Sequence, residues 1–312
     1  MFHLGLDIGG TKMEAVLLDK NGDIRFRERR PTYKADYRGF IHHLVAMIEH
    51  IRAEQTTDFT LGIGLPGAID PETGLIKNCN CQVLNGENLE KDLALSLDQP
   101  VFLANDADCF TLSEAIDGAG KGYGTVFGVI VGTGCGGGVV VNGQLLSGPN
   151  AIAGEWGHNP LPGWTVERDG PVQHCYCLHQ NCIESFISGT GFSRRFNAKQ
   201  GTQLSTESII AAAQAGESLA AAHYQHFIDA FARSLAGVIN TLDPHAIVIG
   251  GGLSNVVSLY RDLPIAIKKY IFSPSCRTVI VKAKFGDASG VRGAAWLPTL
   301  HSHGMRNRPM TA

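Results

Sequence analysis

Two glycine-rich hairpins of one design constrain this chain most. The first, LGLDIGGTKMEAVLL, runs from Leu4 to Leu18, and the second, FGVIVGTGCGGGVVVN, from Phe127 to Asn142. Each reads as a strand, a glycine–threonine turn and a return strand, and each is followed by Asn-Gly. Gly5 and Gly9 have the same spacing as Gly128 and Gly132. Recurrence of a supersecondary unit roughly a domain further on is the mark of a duplicated fold.

The turns carry chemistry. Gly9 and Gly10 let backbone N–H groups approach an anion, Thr11 adds a hydroxyl donor and Lys12 a point charge. Asp7 faces the same place; as an acceptor it suits Mg²⁺ through water better than it suits phosphate. The second hairpin offers Thr133, Gly134, Cys135, Gly136, Gly137 and Gly138 in the same role. Neither is a Walker A loop, because GxxxxGK[ST] is missing and a strand follows instead of a helix. A single DxGGT reads equally well as a plain glycine hairpin. A nucleoside triphosphate lying between the two turns is a physical reason for having both.

The stretch Val101 to Asp106, VFLAND, is an apolar strand that runs directly into an amide and a carboxylate. Ligands of α/β proteins gather at the carboxyl ends of strands. Asp106 is therefore placed as a general base, with Asn105 beside it to orient a hydroxyl. An isolated Asn-Asp also reads as a turn or a helix cap.

Composition narrows the class. A chain of 312 residues, 44% hydrophobic and 18% charged, is expected to be a soluble protein of two domains. A formal net charge of -3 argues against general nucleic-acid binding. No run of about 18 apolar residues is present to span a bilayer. Met1 to Leu4 lacks the basic and apolar regions of a signal peptide, so a cytoplasmic protein is expected. Eight cysteines then point to metal or free thiols instead of disulfides.

Periodicity fills in the remainder. Helices are expected over 37–53, 89–97, 107–119, 206–215, 219–242 and 289–297, and strands over 60–65, 246–249 and 278–283. Gly251 and Gly252 follow a short buried strand, where adenine or ribose could lie flat against backbone. Residues 301–312 read as a disordered tail. Cys175, Cys177 and Cys182 form C-x-C-x4-C, with His158 upstream in GEWGH. Three thiols and an imidazole complete a tetrahedral Cys3His set, the geometry of structural zinc. Buried thiols or a redox pair remain alternatives.

The set LDIGGTK, LGIGLPGAID, LANDADCF, VIVGTGCGGG, GEWGHNP, CYC…C and IVIGGGLSN, in this order, resembles the ROK family of bacterial sugar kinases from Leu4 to about Leu297. The resemblance implies the actin-like ATPase fold shared with hexokinases, two α/β domains with a cleft between them that holds the sugar. The smaller domain would comprise 1–118 with about 288–300, and the larger 119–287 with a zinc loop. ATP, Mg²⁺ and structural Zn²⁺ are implied, with Asp106 as base. Gly67 in the GxPG turn, Asn80, Asn105, Glu155, His158 and Glu184 would contact sugar, and His158 would use one ring nitrogen on zinc and the other on sugar. One departure is that Leu178 and Asn181 stand where the family usually has glycines in CxCGxxGC. A homodimer is expected, as is common in the family. Sugar-responsive repressors of the family carry a helix-turn-helix ahead of the kinase-like body, and a first strand at about Leu4 leaves no room for one. GEWGHNPLP, Leu84-Asn85-Gly86 and SGTGF look more like fructokinases with mannose activity, since relatives acting on N-acetylglucosamine more often have Phe where Trp156 stands. Fructose is therefore the expected substrate; N-acetylglucosamine, then glucose, are the alternatives.

Overall fold

A computed structural model describes residues 1–302, and side chains through residue 300. Residues 303–312 of the expected disordered tail lie outside the described residues. The described residues divide into two compact units: residues 1–121, 143–153 and 288–302, and residues 122–142 and 154–287.

The first unit contains β1 (Phe2–Ile8), β2 (Lys12–Leu18), β3 (Ile24–Pro31), α1 (Tyr37–Gln55), β4 (Phe59–Leu65), the short β5 (Ala68–Ile69) and β6 (Ile76–Lys77), α2 (Leu89–Leu97), β7 (Val101–Asn105) and α3 (Asp106–Ile116). To these it adds the two-residue β10 (Gln144–Leu145) and the closing α10 (Ser289–Ser302). Its sheet has the order β3-β2-β1-β4-β7. β1 is antiparallel to β2 and parallel to β4, which is parallel to β7.

The pleat separates two kinds of residue on β1. Leu4, Leu6 and Ile8 join Leu61, Ile63 and Leu65 of β4 in one buried cluster with Phe40, Leu44, Met47, Ile48 and Ile51 of α1. Those five side chains recur at helical spacing, and Asp36 caps α1 by accepting the Gly39 N–H at 2.7 Å. Gly5 and Asp7 take the opposite face, against α10. The approach there is so close that a Cβ on Gly62 would stand 1.9 Å from the Ala294 carbonyl oxygen, and one on Gly293 1.6 Å from that of Cys109. α10 runs five residues beyond the expected end at Leu297, to Ser302.

The second unit contains β8 (Thr125–Val131), β9 (Cys135–Val141), the short α4 (Val166–Asp169) and α5 (Glu184–Ile187), α6 (Gly189–Gln200), α7 (Thr206–Gln214), α8 (Ser218–Leu242), β11 (Ala246–Gly250), α9 (Leu259–Ile267) and β12 (Val279–Lys282). Its strands run β9-β8-β11-β12, repeating the β2-β1-β4-β7 pattern of one antiparallel and two parallel pairings. Phe127, Val129 and Val131 of β8 pack in a core with Phe227, Phe231 and Leu235 of α8. Each fully buried aromatic or aliphatic side chain of this kind contributes roughly 2–3 kcal/mol. α8 ends at Asp243 in the left-handed conformation, just before Pro244.

Candidate active site

In the first unit, parallel strands β1, β4 and β7 end together. Asp7 is in register with Gly64, and Leu65 with Asn105. Asn105 is the N-cap of α3 and has both ends of its amide in use. Its Oδ1 accepts the Ala107 N–H at 2.8 Å, and its Nδ2 donates to the Gly67 carbonyl at 2.9 Å. Asp106 is the first helical residue, half-buried, and its Oδ1 also accepts from Ala107 N at 2.8 Å. The carboxylate thus sits at a helix N-terminus, where the dipole favours the anion. Gly67 (φ +128°) lies against the backbone of Lys77 and Cys79. Asn80 is exposed between the buried Cys79 and Cys81. The turn after β1 is anchored by Thr32, whose Oγ1 donates to Gly9 O at 2.7 Å and whose N–H donates to Thr11 O at 3.0 Å. Thr11 and Lys12 are exposed, and no atom lies within 4 Å of the side-chain position of Gly10.

Electrostatics tie these strand ends together. Burial, then the charges of Asp106 and Glu14, push the Asp7 carboxyl up to about 6, against a smaller opposing pull from Lys12. Glu14, opposite Asp7 on β2, is buried and paired with Arg27 and Arg29 of β3. A desolvated carboxylate beside a second one is a donor set for a hard cation. Without a cation the charge is a liability. Protonated Asp7 stabilises the fold fully below its ordinary value near 3.8, and that contribution is lost as pH rises through about 6. Asp7→Asn should therefore raise the stability of the ligand-free protein at pH 8 by about 1–3 kcal/mol, with the gain fading below about pH 4. Urea melts of both proteins at pH 4 and pH 8, without divalent cations, measure it. Equal gain at both pH values would disprove the charge as its source.

In the second unit, the turn after β8 is gripped by the segment around α5. Gly132 O accepts from Gly189 N at 2.7 Å, and Cys135 N donates to Glu184 Oε2 at 2.8 Å. Gly251 (φ +77°) lies against Val131 O and Gly132 N, which brings the Gly251-Gly252 loop beside this turn. Thr133 is exposed and Gly134 half-buried. The other glycines of this hairpin differ from the expectation that they face phosphate. Gly136, Gly137 and Gly138 are paired in β9 with Ile130, Val129 and Gly128. Gly137 and Gly138 are buried, and a Cβ on Gly137 would stand 2.8 Å from the Trp156 ring. The smallness of Gly137 admits the Trp156 ring. The Cys135 thiol is fully enclosed, and burial holds its pKa well above the ordinary thiol range, so it offers no thiolate.

Glu155 is exposed, and its carbonyl accepts from His158 N at 3.2 Å. His158, Cys175, Cys177 and Cys182 converge, with one ligand atom from each all within 4.8 Å of one another. His158 Nδ1 is 3.6 Å from Cys175 Sγ, and Cys177 Sγ is 3.5 Å from Cys182 Sγ. A tetrahedron with bonds of about 2.0–2.3 Å spaces its ligands by about 3.3–3.8 Å, so the donor set fits zinc. His158 Nε2, expected to face sugar, instead meets the Tyr176 hydroxyl at 3.0 Å. Tyr176, missed by sequence reading, is 78% exposed and also meets the His158 ring edge-on. His174 and His179 are exposed, although His179 Nδ1 approaches Cys177 Sγ to 3.6 Å.

Leu178 (φ +72°) and Asn181 (φ +55°) adopt the left-handed backbone that glycine favours. Asn tolerates it, whereas Leu incurs about 1–2 kcal/mol. Leu178 is 92% exposed and has little packing to lose. After the extra unfolded-chain entropy of glycine is subtracted, Leu178→Gly should stabilise by up to about 1 kcal/mol, or about 2 °C in Tm. Thermal melts check this; a lower Tm would show that the leucine side chain contributes packing.

The strand ends, the repeated turn and the duplicated topology together define an actin-like ATPase fold. The ROK family profile matches residues 3–300, and the chain belongs to the ROK family, as a sugar kinase using ATP. It is 39% identical over 303 residues to a protein named N-acetyl-D-glucosamine kinase from Yersinia enterocolitica, covering 95% of this chain and 98% of that one. A protein of the same name from Photobacterium profundum is 39% identical over 298 residues, with the same coverage. The crystal structure of a ROK hexokinase from Thermus thermophilus matches with a TM-score of 0.86 at 27% identity, covering 97% of this chain and all of that one. Among the described residues, no helix is long and apolar enough to cross a membrane.

Proposed function

We propose that this ROK sugar kinase transfers the γ-phosphoryl group of ATP to the primary 6-hydroxyl of N-acetyl-D-glucosamine. The observation that carries this is the 39% identity, over nearly the full length of both chains, with proteins named for that activity. Fructose, the substrate expected from sequence, has no such support. The three features that suggested it have internal duties. Trp156 is 5% exposed, stacks on Phe231, meets Phe127 edge-on and donates Nε1–H to Gly136 O at 3.1 Å. Leu84 is fully buried, and Asn85 holds the backbone of Cys79 through both ends of its amide. Ser188 of SGTGF caps α6 by accepting the Gly191 N–H.

In this reading Asp106 accepts a hydrogen bond from the 6-hydroxyl and takes its proton as the new P–O bond forms. The transition state of phosphoryl transfer is loose, so positioning and charge neutralisation dominate and a strongly basic carboxylate is not required. Asn105 fixes Asp106 by capping its helix and tethering the Gly67 turn. Gly67, Asn80, Glu155 and Glu184 are the proposed sugar contacts; His158, with Nδ1 toward the cysteines and Nε2 on Tyr176, is left to the metal set. Gly10, Thr11, Lys12, Thr133 and Gly134 offer donors to phosphate, whereas the N–H groups of Gly9 and Cys135 are held by Lys12 O and Glu184 Oε2 and shape the turns; Gly251 with Gly252 offers a flat surface to the nucleoside. Asp7 would hold Mg²⁺ through water; the cation supplies neutralisation of phosphate charge. His158, Cys175, Cys177 and Cys182 would hold a structural zinc, which four protein ligands leave without an open position.

Initial rates with ATP and Mg²⁺ across N-acetylglucosamine, N-acetylmannosamine, glucose, mannose and fructose test the assignment. The expected result is a kcat/KM for N-acetylglucosamine at least tenfold above the others. Preference for fructose would restore the sequence-based expectation and remove this one.

A further inference from the structure

The turn between β8 and β9 is shaped by a side chain that is distant in sequence. Glu184 opens α5 two residues after Cys182 and directs Oε2 at the Cys135 N–H, 2.8 Å away. The same oxygen closes over Gly134, where a Cβ would stand 2.7 Å from it. Five residues on, at the start of α6, Gly189 N donates to Gly132 O at 2.7 Å. One short segment therefore grips both ends of the 132–135 turn. A carboxylate accepts several hydrogen bonds, so the bond to Cys135 leaves Oε1 for a second partner.

We propose that Glu184 is a positioning residue for the nucleotide. Through the Cys135 N–H it sets the turn whose amides receive the phosphates, and its second oxygen serves the sugar. The inference rests on the reading of that turn as a phosphate contact. It has a signature that sugar contact alone lacks, because it acts on nucleotide affinity with no sugar present. It also separates hydrogen bonding from charge. A carboxylate near phosphate repels it, whereas the Cys135 bond needs only an acceptor oxygen, which glutamine supplies.

The experiment is calorimetric titration of the full chain with ADP and magnesium, without sugar, for wild type, Glu184→Ala, Glu184→Gln, Gly134→Ala and the double variant Gly134→Ala/Glu184→Ala. Loss of one charge-assisted hydrogen bond corresponds to about tenfold in affinity. Glu184→Ala should bind ADP about tenfold more weakly, and Glu184→Gln should bind within about twofold of wild type or more tightly. Gly134→Ala forces a methyl onto Oε2 and should also weaken binding about tenfold, but by less than about twofold once Glu184 is already alanine, since contacting residues couple. Wild-type affinity in Glu184→Ala, equal weakening in the glutamine variant, or additive effects in the double variant would overturn the inference. If Glu184→Ala does not fold, the contrast between Gly134→Ala and Glu184→Gln decides in the same way. A wild-type chain that binds no ADP would instead remove the phosphate reading of the turn, and the inference with it.

Discussion

Asp106→Asn should lower kcat by about 10²–10⁴, the range typical of losing a positioned general base, while sugar affinity stays within a few-fold. Asparagine keeps an Oδ1 that accepts from Ala107 N, the bond Asp106 makes at 2.8 Å, so the start of α3 is preserved. Asn105 remains the cap and remains tied to Gly67. The substitution therefore removes the proton acceptor and leaves the geometry. It has a second readout. The charge of Asp106 is, after burial, the largest influence raising the Asp7 carboxyl to about 6. In Asp106→Asn the Asp7 value should fall toward the ordinary range, measurable by carboxyl NMR of the ligand-free protein. The stability lost as pH rises would then be smaller and would disappear at lower pH. Turnover within tenfold of wild type would reject Asp106 as the base; an unmoved Asp7 would reject the coupling between them.

Much of this arrangement is legible in the sequence, for a local reason. A strand that ends in an acid or an amide shows itself through short-range pattern, which alone places Asp7, Asn105 and Asp106 at sheet ends. The repeated hairpin likewise announces the duplicated topology. Contacts that join distant segments are not legible. The Glu184–Cys135 bond spans 49 residues, and nothing near either residue signals it. Direction is the second hidden quantity. Gly136 to Gly138 read as a ligand cradle, yet in β9 the pleat turns Gly137 to the Trp156 ring. Trp156 itself reads as a discriminator of sugars and proves to be core. A signal is present but unread in α10: Gly290, Gly293 and Ala294 recur at three- and four-residue spacing, which marks a helix face made for close approach.

Cys182→Ser should strongly destabilise the second unit. Cys182 is fully buried, with its sulfur 3.5 Å from that of Cys177 and 3.4 Å from the His158 carbonyl oxygen. A filled Cys3His site closes a loop from His158 to Cys182, and the free energy of metal binding adds to that of folding. In peptides that depend wholly on zinc it amounts to about 10–16 kcal/mol. Here Ile183, Phe186 and Ile187, next to the site, are anchored independently in the core of the second unit, so part of the loop stays in place without metal. A loss of about 3–4 kcal/mol is expected, or a fall in Tm of about 6–8 °C. Loss of order should reach Glu184 and hence the turn at Cys135, so nucleotide affinity should fall along with stability. The purified wild type should contain one zinc per chain by elemental analysis, and a strong chelator should lower its Tm toward that of Cys182→Ser. The chelator should have no effect on the variant, because the site it empties is already lost. Metal-free wild type with an unchanged melting curve would mean that the four side chains are merely packed thiols and an imidazole, and that the loop is held by the core beneath it.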